Sequence, residues 1–328
     1  DRGPYGEGRI IDLEKGVFSN IASLSTGIIN VKISHWSMSE ETQISKIGIT
    51  PNTIKQLKED FGLKASKALG QNFLIDQNYC NKIATLIPEN ASVIEVGPGV
   101  GSLTLALAKH GHSVLAFEFD EYILEPLNYI LEKFDMKSLV DVVHKDIIQV
   151  DWDQNLRDIN SNIIVGNLPY NISATLLMNI AQNTKEANLV IAMVQKEVGE
   201  RFSSPLKSRG VSGVTLKSRF FMDCEICFDV PRNVFIPAPN VDSCVIKLTR
   251  KLDPFSKIAE TDVIEFFKLI DSGFSMRRKM LRQSLKPILG DSIGKILESS
   301  GVDPTLRAEQ CDLDDFTSIY KEMKSRAT

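Results

Sequence analysis

Between residues 72 and 200, short apolar runs alternate with amphipathic stretches of helical period. Residues 92–96 (SVIEV), 113–117 (SVLAF), 139–144 (LVDVVH), 162–165 (NIIV) and 189–193 read as strands. Residues 102–109, 121–134, 172–181 and 196–202 read as the helices between them. Short apolar strands separated by helices predict an α/β fold with a doubly wound, mostly parallel sheet. Residues 219–249 change character. Two β-rich runs, RFFMDCEICFDV and DSCVIKLT, flank the proline-rich loop FIPAPNVD, the pattern of an antiparallel hairpin closing the sheet. After Pro254 the chain reads helical, with breaks at Gly290, Gly301 and Pro304, which predicts a small helical second domain. Residues 1–60 carry no strong period apart from a short helix over 54–61, and Met38 is a candidate start. The expected organisation is an unassigned extension over 1–60, a catalytic domain over 61–250 and a helical domain over 251–328.

Composition narrows the class. The 328 residues are 43% hydrophobic and 24% charged, enough to bury a full core without staples. The formal net charge is −4, so any nucleic-acid surface must be a local basic patch. Five cysteines at irregular spacings suggest no disulfide framework, and a reducing, cytoplasmic setting (or an organelle in a eukaryote) is expected. No run of 18 apolar residues occurs, and polar residues interrupt 17–33 (VFSNIASLSTGIINVKI), so neither a membrane span nor a leader is expected. Cys224-Glu225-Ile226-Cys227 has a metal-like spacing, but strand positions three apart point to opposite faces. No second pair completes a zinc site. His35, His110, His112 and His144 lack ligand spacing, and His112, after Gly111, reads as a solvated turn residue. No metal is expected.

Two motifs carry chemistry. Glu95-Val96-Gly97-Pro98-Gly99-Val100-Gly101 lies between a strand and a helix, where glycines let the backbone approach a ligand and the helix start offers free N–H groups. Glu118 ends the next strand, where a carboxylate can accept both hydroxyls of a ribose. This pair alone fits a dinucleotide enzyme, a methyltransferase or a plain strand–helix turn. The dinucleotide fingerprint wants a glycine where Ser102 stands. The second motif is Asn167-Leu168-Pro169-Tyr170 after the fourth strand. A planar amine such as adenine N6 is a poor nucleophile because its lone pair is delocalised into the ring. It needs acceptors for its hydrogens so that the nitrogen can pyramidalise. An Asn side-chain carbonyl and a backbone carbonyl held by proline can supply them, and a following aromatic can stack on the base.

These blocks, in this order, resemble the ribosomal RNA adenine dimethyltransferase family. The matching stretches are Leu69-Gly70-Gln71-Asn72-Phe73-Leu74-Ile75-Asp76, the glycine turn at 97–101, Phe117-Glu118-Phe119-Asp120, Lys145-Asp146, Asn167-Leu168-Pro169-Tyr170-Asn171-Ile172-Ser173, Gln195-Lys196-Glu197, and residues 235–243 (FIPAPNVDS). The resemblance runs from about residue 64 to the C-terminus and implies an S-adenosylmethionine-dependent methyltransferase fold. It implies N6-dimethylation of two neighbouring adenines near the 3′ end of small-subunit ribosomal RNA, as part of ribosome biogenesis. By position, Asn72 and Leu74 are expected along the methionine part of S-adenosylmethionine. Gly97 lines its path, Glu118 holds its ribose and Asp146 accepts from its adenine amine. Asn167 sits between cofactor and target, Pro169 and Tyr170 complete the grip, and Phe235 packs on the extracted base. The loop 203–210 departs from the family, and residues 1–60 have no counterpart in it.

The stretch Met276-Arg277-Arg278-Lys279-Met280-Leu281-Arg282-Gln283-Ser284-Leu285-Lys286 holds five cations and no acid. Helical spacing would place Arg278 and Arg282 on one face, and Arg277, Arg278, Lys279 and Arg282 are the expected phosphate contacts. The partner implied is small-subunit RNA or a pre-30S-type particle, met by a monomer. The rivals are an adenine methyltransferase of large-subunit RNA and an assembly factor that kept the fold without catalysis. The intact Glu118, Asp146 and Asn167 speak against loss of catalysis. A nicotinamide oxidoreductase is disfavoured by Ser102 and the 167–170 loop.

Overall fold

The computed structural model describes residues 48–66, 69–276 and 278–327. The readings of Met38, His35, residues 17–33 and Arg277 lie outside the described residues.

Helix α1 (Pro51–Phe61) starts at a Thr50–Thr53 capping box with Pro51 at its first position, and it stops at Gly62 in the left-handed region. Then come β1 (Phe73–Leu74), α2 (Gln77–Ala84), β2 (Ser92–Val96), α3 (Ser102–Lys109), β3 (Ser113–Glu118), α4 (Glu121–Lys133), β4 (Val140–His144), α5 (Trp152–Asp158), β5 (Ile163–Asn167), α6 (Ser173–Asn183), β6 (Leu189–Gln195), α7 (Lys196–Ser203), α8 (Gly213–Phe221), β7 (Met222–Val230), β8 (Phe235–Ile236) and β9 (Ser243–Arg250). The main sheet has the order β4-β3-β2-β5-β6-β9-β7. Its first five strands are parallel, and β9 and β7 run antiparallel to their neighbours, as the hairpin pattern predicts. β1 pairs only with β8, with Leu74 opposite Phe235.

The central strands β2, β3, β5 and β6 are buried on both faces, which is why they read as nearly continuous apolar runs. Ile94, Val96, Ile164, Val190 and Ala192 face one core with α6, α8 and the C-terminal helices. Val93, Ala116, Val165, Ile191 and Met193 face the other, with α1–α4. The C-terminal helices α9 (Val263–Ser275), α10 (Leu281–Ser284), α11 (Lys286–Leu289), α12 (Ile293–Ser299) and α13 (Leu313–Ala327) share the first core with the sheet. Phe220 and Phe221 of α8 meet Phe255 and Phe267 edge-on, and Phe220 also packs against Phe266. That aromatic packing explains one departure from the pattern reading. Arg219-Phe220-Phe221 reads as strand but closes a helix, because tertiary burial outweighs β propensity.

Two further readings are corrected, and a third holds on an altered strand. The basic stretch is not one helix. α9 ends at Ser275, residues 276, 278 and 279 turn or bend, and α10 is a single turn starting at Leu281. Met280 takes an extended conformation and the Leu281 N–H donates to Leu306 O at 2.7 Å, so Leu281 and Leu285 enter the core while the cations stay outside. Arg278 and Arg282 therefore do not share a helix face. His112 is not solvated. It is buried beside Gly111, whose φ of +82° turns the chain, and its Nδ1 accepts from the Ala91 N–H at 3.3 Å. Burial pushes its pKa below the ordinary histidine value. The strand bearing Cys224 and Cys227 is not regular, because a bulge falls between Ile226 and Phe228. The thiols still diverge, Cys224 packing on one core and Cys227 on the other.

Candidate active site

The strand order reverses beside β2, since β3 lies on one side of it and β5 on the other. A crevice opens at the carboxyl ends of β2 and β5, the place where open α/β sheets bind ligands. A cavity of about 310 Å³ occupies it, within the range of small-molecule sites. Its walls come from the chain after β2 (Gly97, Pro98, Gly99), the end of β3 (Glu118, Phe119), the turn at Asp146, the loop after β5 (Asn167–Tyr170) and the segment Leu69–Leu74.

The glycine turn is built for close approach. Gly97, Gly99 and Gly101 take φ of +65°, +53° and +89°, where a side chain would be strained. A Cβ at Gly101 would lie 2.9 Å from a methyl of Leu127 on α4, so the turn also needs glycine for packing. α3 starts here with no side-chain cap on its N–H groups, leaving donors for an anionic or polar ligand group. Ser102 donates to the Leu74 carbonyl and thereby ties α3 to β1.

Glu118 is 6% exposed and held by backbone alone. Oε2 accepts from the Gly99 N–H at 3.1 Å, and Oε1 from the Phe119 and Asp120 N–H groups at 3.0 and 2.9 Å. Burial raises its pKa, while these three bonds pull the other way. Oε1 is thus saturated, and Oε2 keeps one lone pair for a further donor. Asp146 accepts the Ile148 N–H through Oδ1 at 3.0 Å, which fixes its carboxylate at the rim.

Asn167 ends β5. Its Nδ2 donates to the Asn72 carbonyl at 3.2 Å, so its Oδ1 remains as a free acceptor. The carbonyl of Pro169 already accepts the Ile172 and Ser173 N–H groups at 3.2 and 3.0 Å. That leaves the preceding carbonyl, Leu168 O, as the candidate backbone acceptor of this loop. Asn72, Leu74, Gly97, Glu118, Asp146, Asn167, Pro169 and Tyr170 all line this one cavity. Phe235 does not. It is 2% exposed and packs behind β1 in the core. Arg278, Lys279 and Arg282 lie exposed, outside the cavity wall.

The model of the family described as ribosomal RNA adenine dimethylase matches residues 62–325. The chain belongs to this family. Among its curated relatives, the ribosomal RNA small subunit methyltransferase A of Staphylococcus epidermidis (strain RP62A) is 35% identical over 287 residues, covering 84% of this chain and 95% of the relative. The protein of the same description from Staphylococcus aureus (strain Newman) gives the same figures. Among solved structures, a dimethyladenosine transferase from Plasmodium falciparum superposes with a TM-score of 0.63 at 21% identity, covering 78% of this chain and 98% of that one. The 23S rRNA methyltransferase ErmE gives 0.59 at 20% identity, covering 77% and 100%. At such identities these structures speak for the fold.

Within this family member the site holds residues that the motifs left without a role. Gln71 bridges two elements. Its Oε1 accepts from the Ser66 N–H and its Nε2 donates to Asp120 Oδ2, both at 2.7 Å. Glu95, on β2, is 1% exposed, lines the cavity, and leaves Oε2 without a hydrogen-bond partner. Burial, reinforced by the nearby Glu118 charge, pushes its pKa up to about 8. The sequence did carry a signal for Glu95: a strand buried on both faces has no exposed position, so any carboxylate in SVIEV must be buried. No local pattern marks Gln71, whose partners lie five and forty-nine residues away.

Proposed function

We propose that the chain transfers methyl groups from S-adenosylmethionine to the N6 amine of adenine in small-subunit ribosomal RNA, two methyls on each of two neighbouring adenines, during ribosome biogenesis. The observation that carries this reading is the meeting of two half-sites in one cavity. The glycine turn and the Glu118 carboxylate form one half, and Asn167 Oδ1 with the Leu168 carbonyl forms the other. The cavity residues fit the cofactor: the turn accepts it without a Cβ in the way at Gly97, and Glu118 has a lone pair left on Oε2 for a ribose hydroxyl. When bound, S-adenosylmethionine supplies an electrophilic methyl on a sulfonium sulfur.

The residues of the chain position and polarise. Asn167 Oδ1 and Leu168 O accept the amine hydrogens, which draws the N6 lone pair out of conjugation and toward the methyl group. The departing proton passes to solvent, so no strong base is required. Tyr170 offers a ring to an adenine drawn out of its stack, a displacement costing a few kcal/mol that stacking offsets. The exposed cations Arg278, Lys279, Arg282 and Lys286 make no ion pair among the described residues, which leaves them for RNA phosphates. The helices after residue 250 would thus serve as the RNA-holding part of a monomer acting on a pre-30S-type particle.

Asn167→Ala tests the chemistry. An acceptor whose bond strengthens as N6 pyramidalises acts mainly in the transition state. Single-turnover methylation at saturating cofactor is expected to fall on the order of 100-fold, with subunit affinity nearly unchanged. A parental rate would remove Asn167 from the reaction.

A further inference from the structure

Ser243 stands at the end of the proline-rich stretch and opens β9. It is paired on both sides, with Gln195 of β6 and Val230 of β7, and its side chain is wholly buried. A hydroxyl at an interior sheet position is costly unless it is hydrogen-bonded. Its one side-chain bond runs to the hydroxyl of Tyr170, at 2.6 Å, and bridges from β9 across β6 to the loop after β5. Tyr170 is itself half-buried at the cavity wall.

We propose that Ser243 is a positioning residue for methyl transfer, which holds the Tyr170 ring in place beside the target base. The inference rests on the reading of Tyr170 as the stacking partner of that base. A tyrosine ring swings about its first side-chain bond, and a bond to its far end stops that swing and fixes where the ring lies. The anchor is rigid because Ser243 lies between two backbone ladders. The other end of the same loop is tied separately, through Asn167 Nδ2 and the Asn72 carbonyl. The acceptor and the stacking surface are thus held in place by independent ties, which keeps the base that stacks there within reach of Asn167 Oδ1. Burial keeps the Tyr170 pKa above the ordinary value, so the phenol stays protonated and the bond persists through the neutral range.

The test is a double-mutant cycle on the full chain with undermethylated small subunits. Ser243→Ala removes the anchor, and Tyr170→Phe keeps the ring while removing the same bond. Each is expected to lower the single-turnover rate about tenfold to a hundredfold, the size of effect that a small misplacement produces, with cofactor affinity at the parental value. The double variant is expected to lose no more than either single one. Losses that multiply in the double variant, or a folded Ser243→Ala at the parental rate, would overturn the proposal. Should Ser243→Ala fail to fold, Tyr170→Phe carries the test alone: a parental rate in it overturns the proposal, and a loss confined to the rate supports it. A parent that binds subunits without methylating them overturns the functional reading and this inference together, whereas an active parent with indifferent variants overturns only the inference.

Discussion

Glu118 offers the cleanest handle on the cofactor half of the site. Three backbone N–H groups hold it, so its removal leaves donors that water can reach through the open cavity. Glu118→Ala is expected to stay folded and to weaken S-adenosylmethionine binding by about 1.5–3 kcal/mol, the worth of hydrogen bonds to a charged group. Calorimetric titration measures this, and unchanged affinity in a folded variant would free Glu118 of the role. Glu95 has a different consequence. Its pKa near 8 lies above the unfolded value of 4.5, so the folded state keeps a proton that the unfolded state releases. Stability from this group is present below about pH 4.5 and is lost as pH rises toward 8. Glu95→Gln, which cannot titrate, is therefore expected to have a Tm that gains on the parent across that window. Parallel Tm curves from pH 5 to 8 would contradict the burial of an ionisable Glu95.

At the scale of elements, the parts that position the cavity were legible where sequence and tertiary demands agree. The alternation of apolar strands with helices, the reversed hairpin of β7 and β9 and the glycine turn before α3 all follow from local pattern. The failures have a common cause in tertiary burial. Phe220 and Phe221 look like strand but are recruited into an aromatic cluster, and Leu281 and Leu285 break a basic helix by turning inward. α5 and α8 are only 7 and 9 residues long; Asp151 caps the first, and a Ser212–Thr215 capping box starts the second. The basic element survives its change of shape, since a turn displays cations as well as a helix does. Arg278→Glu with Arg282→Glu is expected to weaken subunit binding and flatten the dependence of log affinity on log salt, because each phosphate contact contributes about 0.7–0.9 to that slope. Cofactor affinity, measured separately, should not move. Equal subunit affinity and slope in variant and parent would return these cations to ordinary solvated surface.

For the whole molecule, the described residues belong to one compact unit, with the candidate crevice at the carboxyl ends of β2 and β5 and the C-terminal helices on one face of the sheet. The candidate site was largely readable because its residues sit in contiguous motifs at strand ends. Ser243 and Gln71 were not, because their partners are distant in sequence and only the fold brings them together. No helix among the described residues is long and apolar enough to cross a membrane. The central claim is that this architecture joins a methyl donor to adenine N6 in small-subunit RNA. Its most direct test is incubation of the purified chain with labelled S-adenosylmethionine and undermethylated small subunits, followed by mass spectrometric mapping of the RNA. The account predicts label as N6,N6-dimethyladenosine at two adjacent positions near the 3′ end. Label confined to large-subunit RNA in a parallel reaction, or tight subunit binding with no label transferred, would contradict it.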